Sequence, residues 1–231
     1  MKEELIRCDC EHCELKELFY YNVDSQEMEH VCHTKVEEYY SKGDVIIEEG
    51  QPIDKFTYLK SGLVKLNKQG EDGRGQIIMI AKPFDFVSLL SVFSDTYYNY
   101  SVTALEDSIT CNLDLGNLKR MIRDNGEFAM SIMSKMSKVS DKIIIENLNI
   151  RKKQVHGRVA YLLLFFAEQI YMKDDFELPV SRREIAEFIG KTTENVIRTL
   201  SEFRKDGVIK IYGKQIEIID KERLRQVAEF G

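Results

Sequence analysis

The sequence predicts an α+β protein made of an N-terminal β-roll of the jelly-roll type, a long helix and a C-terminal winged helix-turn-helix. Three observations predict this order. Short β-branched runs separated by glycines fill residues 39–113, and an apolar stripe with helical spacing follows at 127–150. Between 178 and 219, two capped helical segments precede a β-hairpin.

Many short strands predict the roll. The candidate strands are Asp44–Ile47, Phe56–Leu59, Leu63–Leu66, Gln76–Ile80 and Ser101–Ala104. Gly43, Gly50, Gly62 and the stretch 70–75 supply turns between them. Strands of this length and spacing are typical of a small barrel or jelly roll.

A long helix is predicted from about Glu127 to Ile150. Its apolar stripe consists of Ala129, Ile132, Met136, Val139, Ile143 and Ile150, at separations of three and four that only Glu146 interrupts. A seam this narrow on a helix this long favours pairing with a second copy of the chain, and burial against the roll is the alternative. The next helix, Val155–Tyr171, is more apolar and should begin the third part of the chain.

The third part carries the signals of a winged helix-turn-helix. Ser181 and Glu184 form a capping box at the start of one helix, and Gly190 ends that helix. Thr192 is an N-cap for the next helix, which has a regular apolar stripe. A hairpin at 208–219 follows as the wing. The second helix of such a unit enters the major groove, so the pattern predicts a DNA-binding domain.

The charge distribution agrees with an acidic N-terminal sensor domain joined to a basic C-terminal DNA-binding domain, which we call the reader. The net charge is −6 over 231 residues, but residues 151–231 carry 16 basic and 13 acidic side chains.

The longest apolar run, Tyr161–Ala167, is too short for a membrane span, and the first residues lack the apolar core of a signal peptide. We therefore expect a soluble, cytoplasmic protein. The expected domains are a sensor at 1–125, a dimerisation helix at 126–151 and a DNA-binding domain at 152–231.

Four segments carry a family resemblance. They are Tyr40–Gly50 and Tyr58–Val64 in the roll, and Leu178–Ala186 and Thr193–Leu200 in the reader. Together and in this order, they resemble the CRP/FNR superfamily of bacterial transcription regulators, and the resemblance covers nearly the whole chain. It implies a homodimer that binds a two-fold symmetric stretch of double-stranded DNA, contacts RNA polymerase if it is an activator, and couples an effector to the orientation of its reading helices.

The reading helix supplies the candidate DNA contacts. Base readers are Thr193, Glu194, Ile197 and Arg198, and phosphate contacts are Arg182, Arg183, Lys191 and Lys214. Arg198 can donate two hydrogen bonds to guanine, and Glu194 can accept one from cytosine. The pair matches the Glu-x-x-x-Arg pair of the family. The alternative is a surface ion pair between residues four apart.

The roll has candidate effector residues, which are Val87, Ser88, Tyr98, Asn99 and Tyr100. Members of the family that bind cyclic nucleotides carry a Gly-Glu pair and an Arg-Ser/Thr-Ala run at these places. Because the arginine and the carboxylate are both missing, a buried phosphate would have no cationic partner, and we do not expect a response to cyclic AMP. A neutral or aromatic ligand, or tyrosines that only pack the roll, are the alternatives.

The cysteines form a candidate metal site. Cys8, Cys10 and Cys13 lie within six residues, and the context of Cys111 resembles that of the distant ligand in oxygen-sensing members of the family. Four thiolates can hold a [4Fe–4S] cluster, or zinc together with histidine. The spacing of Cys8 and Cys10 is narrower than the family pattern, so thiols without a metal remain the third alternative.

The sequence favours a regulator over other classes of protein. We expect that the protein is not an enzyme, because no catalytic triad, phosphate-binding glycine loop or pair of catalytic carboxylates stands out in the sequence. Two alternatives stay open: a constitutive or partner-controlled regulator with a degenerate sensor, and a winged helix that docks protein rather than DNA. The sequence leaves the effector, the operator and the choice between activation and repression undetermined.

Overall fold

The computed structural model describes Val23, residues 34–70 and residues 75–231. The chain divides into two compact units. The first contains the residues up to Lys68 together with Ile78–Lys142, and the second contains Gln69–Ile77 together with Ile143–Gly231. The division falls inside the long helix, and the predicted three-part boundaries stay a prediction. Among the described residues, no helix is long and apolar enough to cross a membrane.

In the described residues, the roll contains seven strands. They are β1 Val36–Tyr40, β2 Val45–Ile47, β3 Lys55–Ser61, β4 Val64–Gln69, β5 Gly75–Ala81, β6 Ser101–Ala104 and β7 Ser108–Asp114. One sheet has the order β1-β7-β3 and the other β2-β6-β4-β5. The five strands expected from sequence are present, which confirms the predicted class of fold.

Two strands, β1 and β7, were not predicted, because polar residues interrupt their apolar pattern. In β1, Glu37 is buried and Lys60 Nζ lies 2.7 Å from its Oε1 atom. In β7, Asn112 is buried, and its Oδ1 accepts a 2.7 Å hydrogen bond from the hydroxyl of Thr57. Partners from other strands of the same sheet thus satisfy polar groups that the sequence alone places outside a strand.

Gly62 is required at the turn between β3 and β4. Its φ of +89° lies in the left-handed region, and an added Cβ would lie 2.3 Å from the Oγ atom of Ser108. Both the backbone conformation and the close approach of Ser108 exclude a larger residue there.

Six α-helices are present in the described residues: α1 Leu115–Asp124, α2 Gly126–Lys152, α3 Val155–Phe165, α4 Arg182–Ile189, α5 Thr193–Lys205 and α6 Lys221–Phe230. The long helix is α2, close to its predicted bounds. Helix α3 ends earlier than predicted, since a π-helical turn, Phe166–Ile170, replaces its last turns. Helices α1 and α6 were not predicted.

The apolar stripe of α2 is the main correction to the sequence-based prediction. Ile132 is buried with Phe128 in the hydrophobic core of the first unit, and Met136 and Val139 pack against that core. The assignment of Ile132 to a dimer contact is therefore wrong, because the core of the first unit covers it, whereas Met136 and Val139 are only half-buried and their part in a dimer contact stays a prediction. The stripe matched both alternatives, because periodicity identifies an apolar face but not what covers it.

A second face of α2 carries exposed apolar side chains. Met130, Met133, Ile144 and Leu148 each expose more than half of their surface. At 3.6 residues per turn these four positions fall within about 60° of one another and lie between about 100° and 160° from Ile132. We call these four residues the exposed stripe of α2.

The second unit contains the winged helix-turn-helix as predicted. Ser181 accepts a hydrogen bond from the backbone of Glu184, whose side chain in turn accepts from the backbone of Ser181. Gly190 ends α4 with a φ of 65°, and Thr192 caps α5. The wing consists of β9 Ile209–Tyr212 and β10 Gln215–Ile218, and a third strand, β8 Asp175–Glu177, pairs with β10.

Candidate nucleic-acid interface

Helix α5 has one buried face and one exposed face. The buried face consists of Val196, Thr199, Leu200 and Phe203. Glu194, Ile197 and Arg198 lie on the exposed face, and Ile197 keeps 51% of its surface exposed, although it is a large apolar residue. Thr193 is half-buried beside them. The structure thus brings the four predicted base readers to one end of the helix.

Glu194 is held at the start of α5. Hydrogen bonds from its own backbone N–H and from the hydroxyl of Thr192 lower the pKa of Glu194 below its usual value. The side chain is therefore ionised at neutral pH and lies at the positive end of the helix dipole. An ionised carboxylate only accepts hydrogen bonds, which is the chemistry needed to contact the amino group of cytosine.

Arg198 is paired with a residue that the sequence analysis did not assign. Its Nη2 atom donates a 3.1 Å hydrogen bond to Oδ1 of Asn195, three residues earlier. The backbone N–H of Asn195 donates in turn to Oγ1 of Thr192, at 3.3 Å. Side chains three or four residues apart meet on a helix, so the sequence allowed either Asn195 or Glu194 as the partner of Arg198. The sequence-based prediction paired Arg198 with Glu194.

The predicted phosphate contacts have different surroundings. Nη2 of Arg182 donates to the carbonyl of Gly213 at the tip of the wing, and burial lowers the pKa of Arg182. Arg183 Nε lies 2.9 Å from Oε1 of Glu187 in an ion pair. The remaining two, Lys191 and Lys214, are exposed. Thus Arg182 holds the wing against the start of α4, while the two lysines are open to solvent.

The two predicted effector tyrosines are buried in the first unit. Tyr98 Oη donates to the carbonyl of Lys55 at 3.1 Å, and Tyr100 Oη donates to the carbonyl of Val87 at 2.9 Å. Burial raises the pKa of Tyr98 to about 12, with a smaller contribution from the negative charge of Asp54. Burial also raises the pKa of Tyr100. Both rings fill the roll, and their hydroxyl groups donate to the backbone.

The other predicted effector residues bond to different partners from those of the two tyrosines. Ser88 is fully buried, accepts a 2.8 Å hydrogen bond from the backbone N–H of Thr57, and lies next to the buried Val87. Asn99 is exposed, and its Nδ2 donates to Asp95. The effector pocket therefore stays a prediction.

The structure describes one of the four predicted metal ligands. Cys111 lies in β7, buried in the hydrophobic core of the first unit together with Tyr58 and Leu113. Cys8, Cys10 and Cys13 lie outside the described residues. In the part of the chain that is described, no group of three His, Cys, Asp or Glu side chains is arranged to hold a metal ion.

Two family profiles match the chain. Residues 37–125 match the cyclic nucleotide-binding domain, and residues 157–227 match the Crp-like helix-turn-helix domain. The first match covers the roll and α1, and the second covers the reader from α3 to α6.

Known proteins resemble the chain over most of its length. A Rhizobium leguminosarum protein designated a probable transcriptional activator is 32% identical over 80% of this chain and 78% of its own. A CRP-like cAMP-activated global transcriptional regulator of Mycobacterium tuberculosis is 28% identical over 82% of this chain and 86% of its own. The structure of FixK2 from Bradyrhizobium japonicum is similar with a TM-score of 0.73, at 25% identity over 84% of this chain and 97% of its own.

Proposed function

Because this chain belongs to the CRP/FNR superfamily, it is a DNA-binding transcription regulator and not an enzyme, and we propose that it reads a two-fold symmetric operator as a homodimer. In this proposal residues 1–125 act as the sensor, 126–151 pair the two copies and 152–231 bind DNA. The sensor controls the affinity for the operator through an effector other than cyclic AMP. If the protein is an activator, it also contacts RNA polymerase.

The exposed end of α5 is the observation that carries the proposal. Glu194, Ile197 and Arg198 share one face, away from the buried side of the helix. Arg198 can donate to guanine, Glu194 can accept from cytosine, and Ile197 can contact the methyl group of thymine. The exposed Lys191 and Lys214 flank this face along the chain and suit phosphate contacts, which orient a protein on DNA without selecting a sequence.

The exposed stripe of α2 supports the homodimer. Met130, Met133, Ile144 and Leu148 are separated by three, eleven and four residues, which keeps them on one side of the helix. An apolar row of this length costs free energy in water, and pairing with the same row of a second copy removes it from solvent. Two reading helices related by the two-fold axis would then meet half-sites about 34 Å apart.

The uncharged side chains at the predicted effector positions support an effector other than cyclic AMP. Ser88 and Tyr98 occupy the places where cyclic nucleotide binders of the family carry a carboxylate and an arginine. In this chain both side chains hydrogen-bond to the protein backbone. A cyclic phosphate placed there would lose its hydration without gaining a cationic partner.

The described residues do not by themselves fit a metal centre. Cys111 is surrounded by apolar side chains such as Phe56 and Leu113, and the described part of the chain offers no second cysteine. A [4Fe–4S] cluster or a zinc ion would need Cys8, Cys10 and Cys13 to reach this core.

In vitro selection of random duplex DNA by the purified full-length protein tests the proposal. The expected result is an enriched sequence with two-fold symmetry and half-site centres about one helical turn apart. Titration of the selected duplex should show salt-dependent binding, and a scrambled duplex should bind far more weakly at the same salt concentration. Recovery of unenriched DNA, or equal binding of both duplexes, would contradict the proposal.

A further inference from the structure

We propose that Asn195 is a positioning residue for base recognition, which holds the guanidinium of Arg198 in the orientation that reads guanine. The inference rests on the proposed function and deepens it. It starts from the 3.1 Å hydrogen bond between Arg198 Nη2 and Asn195 Oδ1.

The start of α5 holds Asn195 in place. Its backbone N–H donates to the capping hydroxyl of Thr192, and its side chain is half-buried, whereas Arg198 is exposed. The amide is therefore the more constrained member of the pair, and the guanidinium is the group that it orients. An arginine side chain held in one orientation loses less conformational freedom when it binds DNA.

The pair leaves Arg198 able to read guanine. A guanidinium has five N–H donors in a rigid plane, and the bond to Asn195 uses one of them. The remaining donors include a pair that can reach O6 and N7 of guanine together. Among the contacts described, the guanidinium bonds to Asn195 and not to Glu194, whose carboxylate accepts from its own backbone N–H and from the hydroxyl of Thr192.

The same bond restricts what Asn195 can recognise by itself. An asparagine that reads adenine uses Oδ1 and Nδ2 together, as acceptor and donor. Because Oδ1 of Asn195 already accepts from Arg198, one of its two lone pairs is occupied, and the orientation of the amide is set by the guanidinium rather than by a base. While the pair is intact, Asn195 acts on base selection through Arg198 rather than by reading adenine.

A double-mutant cycle on the selected operator tests the proposal. The variants are Asn195→Ala, Arg198→Ala and the double substitution, each titrated against the operator, a random duplex and operators changed at single base pairs. The base pair read by Arg198 is the one at which base changes no longer matter in Arg198→Ala. In Asn195→Ala, we expect discrimination at that base pair to fall about five-fold, with the other base pairs and the random duplex unaffected.

Two further variants separate positioning from general structure. Asn195→Asp keeps an acceptor oxygen, so it should retain the discrimination at this base pair even if its charge weakens binding to all duplexes. Ser201→Ala is the matched control, because the exposed Ser201 lies on the same helix and bonds only to the backbone of Ile197 among the contacts described. Thermal unfolding should be similar for all of these variants, since the cap from Thr192 does not use the side chain of Asn195.

The outcomes distinguish this inference from the proposed function. If wild-type protein discriminates between bases and Asn195→Ala discriminates equally well, the positioning role is wrong. It is also wrong if Asn195→Ala weakens binding by the same factor with and without Arg198, because Asn195 would then contact DNA directly. If wild-type protein itself does not prefer its operator to random DNA, the proposed function fails first.

Discussion

Nη1 of Arg158 donates a 2.7 Å hydrogen bond to the carbonyl of Ile189, at the C-terminal end of α4. The same guanidinium donates to the carbonyls of Arg151 and Lys153, at 3.0 and 2.8 Å, where α2 ends. One side chain on α3 therefore satisfies carbonyl groups at the ends of two other helices. Through it, the end of the long helix is joined to the first helix of the helix-turn-helix.

Replacing Arg158 should destabilise the second unit. Arg158→Met removes three hydrogen bonds from a charged donor, and we expect the free energy of unfolding to fall by about 2 kcal/mol. Urea unfolding followed by circular dichroism measures the change. Arg158→Lys is the comparison, because an ammonium group can make only some of these three hydrogen bonds. Its free energy of unfolding should therefore lie between those of the wild type and Arg158→Met. Unfolding curves that coincide for all three proteins would show that the bonds contribute nothing.

Arg198→Ala should weaken operator binding selectively. We expect a loss of about 1–3 kcal/mol on the operator and little change on random DNA, because a base contact is lost while phosphate contacts remain. Fluorescence anisotropy at fixed salt concentration measures both affinities. An equal loss on the two duplexes would place Arg198 among the phosphate contacts.

A charge in the exposed stripe of α2 should prevent dimerisation. Leu148→Glu places a carboxylate in the proposed contact between copies, where it would be buried without a partner. Asn149→Glu is a matched control, because Asn149 is exposed about 100° further around the helix. Sedimentation at low micromolar concentration should find Leu148→Glu monomeric and Asn149→Glu dimeric. A dimer in both cases would exclude the stripe as the contact.

Tyr98 should contribute to stability in a pH-dependent way. Its folded-state pKa of about 12 lies above the ordinary value of 10.0, so the neutral phenol is favoured by folding. This contribution is complete below pH 10 and is lost as the pH rises towards 12. Tyr98→Phe should cost about 1 kcal/mol at pH 8, from the lost bond to Lys55, and should show a shallower decline of stability above pH 10. Parallel declines in the two proteins, measured by urea unfolding, would contradict this account.

Cyclic AMP should not activate the protein. Tyr98 and Ser88 offer no charge to a cyclic phosphate, and their polar groups are bonded to the backbone. Calorimetric titration should therefore detect no binding in the micromolar range, and added cyclic AMP should leave operator affinity unchanged. Micromolar binding together with a gain in operator affinity would overturn the prediction.

Local signals were sufficient to predict the helix-turn-helix and the hairpin of the wing. The capping box of Ser181 and Glu184, the cap at Thr192 and the glycine that ends α4 act within a few residues, so their consequences can be derived from sequence. The same holds for the exposed positions of Glu194 and Arg198, because the apolar stripe of α5 defines the opposite face. Strand β1 was missed because its buried Glu37 depends on Lys60, which is distant in the sequence.

The sequence by itself determined the order of roll, long helix and winged helix-turn-helix, since periodicity, caps and turn residues are local properties of the chain. Only the tertiary structure decided which face of α2 is covered by the roll, because an apolar stripe does not specify its partner. It also decided that Arg198 pairs with Asn195 and that the hydroxyl of Tyr98 bonds to the backbone of Lys55. Such contacts depend on which of several donors and acceptors within reach meet in the folded chain, and spacing along the sequence leaves that choice open.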